Sequence, residues 1–123
     1  MPLKSSKAGF SAEARLRTPA EFNRVFKTGL RTMDTCFCMY ASRNETGHAR
    51  LGITVARKAA PGAVVRNRIK RQVRENFRSH RAILPAVDIV VQARPPAAAA
   101  DNPGLRDSLE WHWQELKKRC AVS

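Results

Sequence analysis

The residues best suited to chemistry in this chain are the basic ones that crowd one segment, between positions 57 and 81. The segment holds nine lysines and arginines and a single acid, Glu75. The nine are Arg57, Lys58, Arg66, Arg68, Lys70, Arg71, Arg74, Arg78 and Arg81. A solvated surface helix usually mixes charges of both signs, whereas a block of one sign attracts a polyanion. The pattern therefore predicts the binding of phosphates.

Residues that could carry out hydrolysis are few and scattered. His48, His80 and His112 fall in a turn, on the basic segment and near the carboxyl end, so we expect each at the surface and none as a general base. The ten acidic residues show no cluster with the spacing of a hydrolytic metal site. We expect no catalytic residue and no metal ligand in this chain.

The cysteines also argue against a metal or disulfide framework. Cys36, Cys38 and Cys120 are odd in number, and the first two lie inside an apolar run, without the paired turn spacing of structural zinc ligands. We expect three reduced thiols, with Cys36 and Cys38 as small strand residues.

Length and charge restrict the class of protein. The 123 residues suit one domain, and a formal charge of +13 makes nucleic acid the expected partner. An anionic membrane is the alternative, but no run approaches the roughly 20 apolar residues of a spanning helix. The first residues also lack an apolar signal sequence. We expect a soluble cytoplasmic protein with a flexible basic arm at 1–14 and a single RNA-binding domain at 15–120.

A first helix is predicted to begin after Thr18, which can cap it, while Glu21 completes a capping box. Phe22, Val25 and Phe26 follow at helical spacing and form one apolar face. Spacing alone favours ordinary core positions for the two phenylalanines.

Strands are predicted at 35–41, 50–56 and 87–93. In the first, Tyr40 shares a side with Cys36 and Cys38. Turn residues at 44–47 make the first two strands look like an antiparallel hairpin. The third is apolar on both faces apart from Asp88 and Gln92, as expected of a central covered strand. The run at 95–100 is predicted to be a loop.

Two further helices are predicted. The basic helix, at about 63–80, packs Val65, Ile69, Val73 and Phe77 inward and leaves a wide cationic face outside. A last helix opens at Asn102, with an apolar stripe of Leu105, Leu109, Trp113, Leu116 and Cys120. The order α-β-β-α-β-α predicts an α+β fold, a small sandwich whose short mixed sheet is covered by helices.

The basic helix has two possible nucleic-acid targets. No second helix lies a short turn away, as a helix-turn-helix DNA reader requires, and a long cationic arc suits the clustered phosphates of a folded RNA better. Asn67 is compatible with a base contact and equally with a local hydrogen bond.

The segment Arg66-Asn67-Arg68-Ile69-Lys70-Arg71 resembles the signature helix of the bacterial ribonuclease P protein family. Other segments follow in that family's order: 15–16, 21–29, 37–40, 50–58 and 88–94, with a closing amphipathic helix. An Arg-Asn-Arg helix inside this ordered set is specific, where the tripeptide alone is weak. The approach at 59–62 departs from the family, since it has no Asn and is one residue longer.

The resemblance implies a protein subunit that binds a large catalytic RNA and assists removal of the 5′ leader of precursor tRNA. The residues that match the RNA-facing positions are Arg57, Lys58, Arg66, Asn67, Arg68, Lys70, Arg71 and Arg74. Those that match the leader-binding positions are Phe22, Phe26 and Tyr40. It also implies a left-handed βαβ crossover through the basic helix, against the general right-handed preference.

By the same resemblance, the catalytic centre lies in the RNA, and Mg²⁺ is required by the RNA-containing holoenzyme, with no cofactor held tightly by the protein. One protein pairs with one RNA, and no membrane is involved. The alternative is a purely structural RNA-binding protein, such as a ribosomal component, with no substrate role.

Overall fold

The computed structural model describes residues 14–122 as a four-stranded sheet with helices on both faces. The helices are α1 (Pro19–Thr28), α2 (Ala63–His80), α3 (Pro96–Ala99) and α4 (Asn102–Val122), and the strands are β1 (Leu30–Met33), β2 (Phe37–Arg43), β3 (Arg50–Thr54) and β4 (Val87–Ala93). The predicted α+β class is confirmed. The predicted arm at 1–14 lies outside the described residues except for Ala14, which is buried.

The sheet has the order β1-β2-β4-β3, so the predicted hairpin between the segments at 35–41 and 50–56 is wrong. The chain does turn at Gly47, whose φ is 86°. However, β4 lies between the two strands, antiparallel to β2 and parallel to β3. Turn residues indicate only that the chain reverses direction, and they do not determine which strands pair. The doubly apolar β4 takes the central place because both of its faces are covered there.

Three short elements were not predicted, and one of them is a 3₁₀ turn at Arg81–Ile83 that follows α2. β1 is a four-residue edge strand antiparallel to β2, and its sequence alternates too briefly to show a strand period. The predicted loop at 95–100 contains α3, one helical turn that begins at a proline and buries Ala97.

The connection from β3 through α2 to β4 is left-handed, as the resemblance implied. Leu51 of β3 points its side chain into the core under α2, while its carbonyl accepts the Leu16 N–H at 3.0 Å on the side away from β4. With α2 toward the viewer and β3 running upward, an L-residue that faces the viewer directs its N–H and C=O to the right. β4 therefore lies to the left, and the crossover is left-handed.

The face of the sheet covered by α2 and α4 holds the larger core. Ile69, Val73 and Phe77 of α2 are buried against it, and Val65 is partly buried at its margin. All five residues of the predicted stripe on α4 are buried, namely Leu105, Leu109, Trp113, Leu116 and Cys120. Both helix predictions are confirmed, in the bounds given for α2, in the start given for α4 and in the buried sides of both.

On the opposite face, α1 is the one helix among residues 14–122, and Leu16 packs beside it. The predicted capping box is present, since Thr18 accepts from the Glu21 N–H and the Glu21 carboxylate reaches back to the Thr18 N–H. The helix ends at Gly29, where a Cβ would lie 2.6 Å from the carbonyl oxygens of Val25 and Ala41. Only glycine lets the chain pass so close to the sheet as it enters β1.

Candidate nucleic-acid interface

The outer side of α2 forms a cationic surface. Because Ile69, Val73 and Phe77 fix the rotation of the helix against the core, the remaining sides carry the basic residues. Arg71 and Arg74 are exposed, as is Asn67, while Lys70 is half-buried. An array of this kind binds phosphates through its summed field and needs no single exact contact.

Two arginines of the predicted interface also hold the protein together. Arg66 donates to the carbonyl oxygens of Ala60 at 3.0 Å and Pro61 at 2.8 Å, which closes the loop before α2. Arg68 donates to Asn102 Oδ1 at 2.9 Å and so joins α2 to the start of α4. These two guanidiniums are thereby placed, and each keeps further donors for a phosphate.

The loop between β3 and α2 carries Arg57 and Lys58, both exposed. It turns tightly, since Ala59 and Ala60 both donate their N–H groups to the Ala56 carbonyl at 3.0 Å. Gly62 occupies the N-cap position without a side-chain cap. The start of α2 therefore has no side-chain cap, and the loop before it is closed by its own backbone hydrogen bonds and by the Arg66 side chain.

A second candidate surface lies on the α1 face of the sheet. Tyr40, Val90 and Gly52 are aligned across β2, β4 and β3, and α1 crosses this row. Phe26 meets Tyr40 edge-on, with ring centroids 4.8 Å apart. The Phe22 ring occupies the space over Gly52, where an added Cβ would lie 2.5 Å from the ring Cζ.

The structure therefore brings together the three predicted leader-binding residues. Phe22 and Phe26 are half-buried at the margin of α1, and the fully buried residue of this helix is Val25 between them. Both phenylalanines pack against the small cluster of Leu16, Val25 and Val90 without being fully buried, so they lie between the core position that spacing favours and a freely exposed ring. Tyr40 is half-buried as well. Aromatic rings that are fixed by packing yet reachable from solvent are suited to stacking with bases.

The next row along this face is more polar and only partly covered. Cys38, Gln92 and Thr54 are aligned across the same three strands, one pleat beyond Tyr40. Gln92 and Thr54 are partly exposed, and Met33 beside Cys38 is 46% exposed. Together with the aromatic residues, this row makes a partly exposed strip of the sheet beside α1, which we name the α1 groove.

A charged network on the other side of α1 was not predicted. Asp88 of β4 is fully buried and bonds Arg50, Arg24 and Asn44. Burial acts to raise the pKa of Asp88, but the hydrogen bonds from Arg50 and Asn44 and the nearby Arg24 charge outweigh it and hold the pKa below its ordinary value. The sequence feature that could have indicated this network is an aspartate inside an otherwise apolar strand.

One histidine prediction is wrong, since His112 is fully buried under the sheet. Its Nδ1 lies 2.7 Å from Thr32 Oγ1 and its Nε2 lies 3.0 Å from Asp34 Oδ1. Asp34 also accepts from Ser108 Oγ at 2.6 Å, so α4 is fastened to the corner between β1 and β2. Helix α4 covers this corner, and the apolar stripe gave no sign that a polar residue would be buried beside it.

The tryptophans and the cysteines fall as follows. Trp113 is buried and donates to Asn76 Oδ1 at 2.6 Å, while Trp111 is 43% exposed on the outside of α4. Cys36, Cys38 and Cys120 are free thiols. Within residues 14–122, no group of three or more His, Cys, Asp or Glu is arranged to hold a metal ion. In the same part of the chain, no helix is long and apolar enough to cross a membrane.

Comparison with known proteins gives one consistent family. A family model described as Ribonuclease P matches residues 10–117. The ribonuclease P protein component of Idiomarina loihiensis is 45% identical over 112 residues, covering 90% of this chain and 90% of that protein. The corresponding protein of Methylococcus capsulatus is 42% identical over 122 residues, covering 99% and 95%.

Solved structures agree. The RNase P protein of Staphylococcus aureus aligns with a TM-score of 0.78 and 40% identity, covering 85% of this chain and 95% of that one. The Thermotoga maritima RNase P protein, solved in complex with 1-(4-fluorophenyl)-2-thiourea, aligns with a TM-score of 0.74 and 34% identity, covering 84% and 97%. The likeness extends over nearly the whole of each protein, sequence and fold together.

Proposed function

This chain belongs to the ribonuclease P protein family, and from that premise we propose that it is the protein subunit of a ribonucleoprotein that removes the 5′ leader of precursor tRNA. We propose further that one copy pairs with one catalytic RNA in the cytoplasm. The observation that carries the proposal is the presence of two distinct surfaces on one small domain, the cationic outside of α2 and the aromatic α1 groove.

The α2 surface is assigned to the catalytic RNA. Two large RNAs repel each other through their phosphates, and a protein of charge +13 lowers that repulsion by replacing condensed counterions. The residues assigned to this contact are Arg57, Lys58, Arg66, Asn67, Arg68, Lys70, Arg71 and Arg74. The placement of Arg66 and Arg68 by the protein's own carbonyl and amide oxygens supports their presence in it.

The α1 groove is assigned to the single-stranded leader. Stacking on Phe22, Phe26 and Tyr40 accepts any base, at roughly 1–3 kcal/mol per base, which suits a leader of variable sequence. The groove also lies on the face of the sheet opposite α2, so one protein can hold the catalytic RNA and the leader at the same time.

Catalysis is assigned to the RNA. Asp34 and Asp88, the carboxylates at the centres of the two buried networks, already accept hydrogen bonds on both of their oxygens. Both carboxylates are therefore occupied, and residues 14–122 hold no group of three or more His, Cys, Asp or Glu arranged for a metal ion. We assign the Mg²⁺ that the family resemblance implies for the holoenzyme to the RNA. The protein's share is to bind and orient the substrate.

The central test is reconstitution. At low magnesium, where an RNA alone screens its phosphates poorly, adding this protein to a bacterial ribonuclease P RNA should restore correct 5′ cleavage of precursor tRNA. Cleavage by the purified protein without RNA would contradict the assignment of catalysis. No restoration would favour the second candidate, a structural RNA-binding protein, which the long cationic helix alone would also fit.

The leader assignment has its own test in the reconstituted complex. Tyr40→Ala should weaken binding of precursor tRNA that carries a leader by roughly 1–3 kcal/mol, the value of one stacked base. Binding of mature tRNA should stay nearly unchanged. Trp111→Ala is the matched control, because it removes an exposed aromatic ring from α4, away from the groove. Equal losses for precursor and mature tRNA would count against a leader site.

A further inference from the structure

Helix α1 has different chemistry on its two sides. Val25 faces the sheet and is fully buried. Going around the helix at 100° per residue, Phe22 and Phe26 lie on one side of Val25, and Glu21 and Arg24 lie on the other. The aromatic side borders the α1 groove. The charged side lies against the buried carboxylate of β4.

That carboxylate, Asp88, is fully occupied. Arg50 binds it with two groups, Nε to Oδ1 at 2.8 Å and a terminal nitrogen to Oδ2 at 2.9 Å. Asn44 Nδ2 donates to Oδ1 at 2.7 Å, and Arg24 donates to Oδ2. Arg50 also reaches Glu21 Oε2 at 3.5 Å. Arg24 of α1 is thus joined to β4 through Asp88, and Glu21 of α1 is joined to β3 through Arg50.

The network is electrically balanced, with two carboxylates and two guanidiniums. The whole chain has only ten acids against 23 basic residues, yet two of the ten lie here. A balanced group of charges has little attraction for phosphate, unlike the single-sign surface of α2. The arrangement is therefore suited to holding α1 and not to binding RNA.

We propose that Asp88 is a positioning residue for leader binding, which fixes α1 sideways on the sheet through Arg24 and Arg50 and so sets the aromatic rings of the α1 groove before RNA arrives. This inference rests on the proposed function. On this proposal, the ion pairs on the charged side of α1 determine where the aromatic rings on its other side lie.

The physical reason is directionality. Contact of Val25 with the sheet is apolar and non-directional, so it resists lifting of the helix more than sliding. A bidentate arginine–carboxylate pair has a fixed geometry, and a buried charge that loses a partner is costly. Stacking platforms gain affinity when the rings are already in place, because less ordering remains to be done on binding.

The test uses Arg24→Met in the complex reconstituted with catalytic RNA. This variant removes α1's own bond to Asp88 but leaves the paired Arg50, whereas Asp88→Ala would strand a buried arginine and threaten the fold. Lys27→Met is the matched control, since it removes one exposed positive charge from the same helix. The quantity measured is the ratio of affinities for precursor tRNA with a leader and for mature tRNA.

We expect Arg24→Met to lower this ratio by about tenfold, within the range of one stacked base, and Lys27→Met to leave it unchanged. In the protein without RNA, Arg24→Met should also speed hydrogen exchange of the α1 amides and shift the NMR signals of the Tyr40 ring, on which Phe26 rests. Exchange in α2 and α4 should stay as it is.

The outcomes separate the two proposals. A wild-type complex with no preference for the leader would overturn both. A wild-type preference that Arg24→Met retains would overturn the positioning role alone. A lost preference with unchanged α1 exchange and an unchanged Tyr40 signal would also overturn it, since Arg24 would then act as a direct phosphate contact.

Discussion

The two faces of the sheet differ in how they are covered and in how they meet a partner. On one face, α2 and α4 enclose the larger core, and the outer side of α2 carries the cationic surface that we assign to the catalytic RNA. On the other, α1 covers a small cluster and leaves part of the sheet within reach of solvent. The first face therefore carries a cationic surface, and the second carries aromatic rings held at defined positions.

The two surfaces therefore differ in how precisely their side chains must be placed. A phosphate-binding helix acts through a field that extends about a Debye length, so small errors in side-chain position matter little. A stacking groove depends on the distance between rings on two separate elements, here Phe26 of α1 and Tyr40 of β2. Substitutions on the first face should change affinity with a strong dependence on salt, and those on the second should change preference for the leader.

The largest effect is expected from charge reversal on α2. The double substitution Lys70→Glu/Arg71→Glu places two acids in the cationic surface and should weaken assembly with the catalytic RNA by about a hundredfold at moderate salt. The loss should shrink as salt rises. Filter binding or fluorescence anisotropy across a salt series measures both quantities.

A matched control is available on α4. Lys117→Glu/Lys118→Glu makes the same change in net charge at two exposed positions outside the basic helix. Assembly should weaken far less than with the α2 variant. If the two pairs weakened assembly equally, net charge alone would explain binding, and the contrast between the faces would be lost.

A smaller effect is expected at the floor of the α1 groove. Gly52→Ala places a methyl group where the Phe22 ring now lies, at 2.5 Å from Cζ, so the ring must move. We expect about a tenfold loss of preference for the leader, within the range of one stacked base. Because a side chain and not backbone is displaced, the urea midpoint should change little. Competition between tRNAs with and without a leader gives the measurement.

Gly62→Ala is the control for this glycine. An added Cβ at position 62 meets nothing within 4 Å, so both the preference for the leader and the assembly should persist. A preference that survives Gly52→Ala would show that Phe22 is not part of the binding groove.

The same contrast explains what the sequence could predict. Helix α2 and its cationic side follow from local periodicity, since Ile69, Val73 and Phe77 repeat every four residues and the charges fill the other sides. The stripe of α4 follows in the same way. Both helices lie on the face of the sheet whose proposed RNA contact needs residues mainly from a single helix.

The α1 face depended on contacts between distant parts of the chain. That Phe22 lies over Gly52, and that Asp88 meets Arg24 and Arg50, follow from β4 being inserted between β2 and β3. The turn residues at 44–47 predicted a hairpin between β2 and β3, and hydrophobic periodicity does not indicate which strand lies between two others. The predicted aromatic residues were supplied by the family resemblance, while the residues that position them were visible only in the structure.

The smallest predicted effect concerns the enclosed face and compares its buried network with that of the α1 face. Burial lowers the pKa of His112 from its ordinary 6.5, and the attraction of Asp34 and Glu115 only partly opposes this. The unfolded chain therefore binds the proton more readily, so this contribution to stability is complete above about pH 6.5 and declines as the pH falls toward the lowered value. The pKa of Asp88 is also lowered, so its contribution is lost only at more acidic pH, below its ordinary 3.8.

Urea unfolding at a series of pH values should show that the free energy of unfolding of the wild type begins to decline near pH 6.5. This decline should be absent from His112→Gln. The same decline in both proteins would show that His112 is not its source and would contradict the predicted difference between the two buried networks.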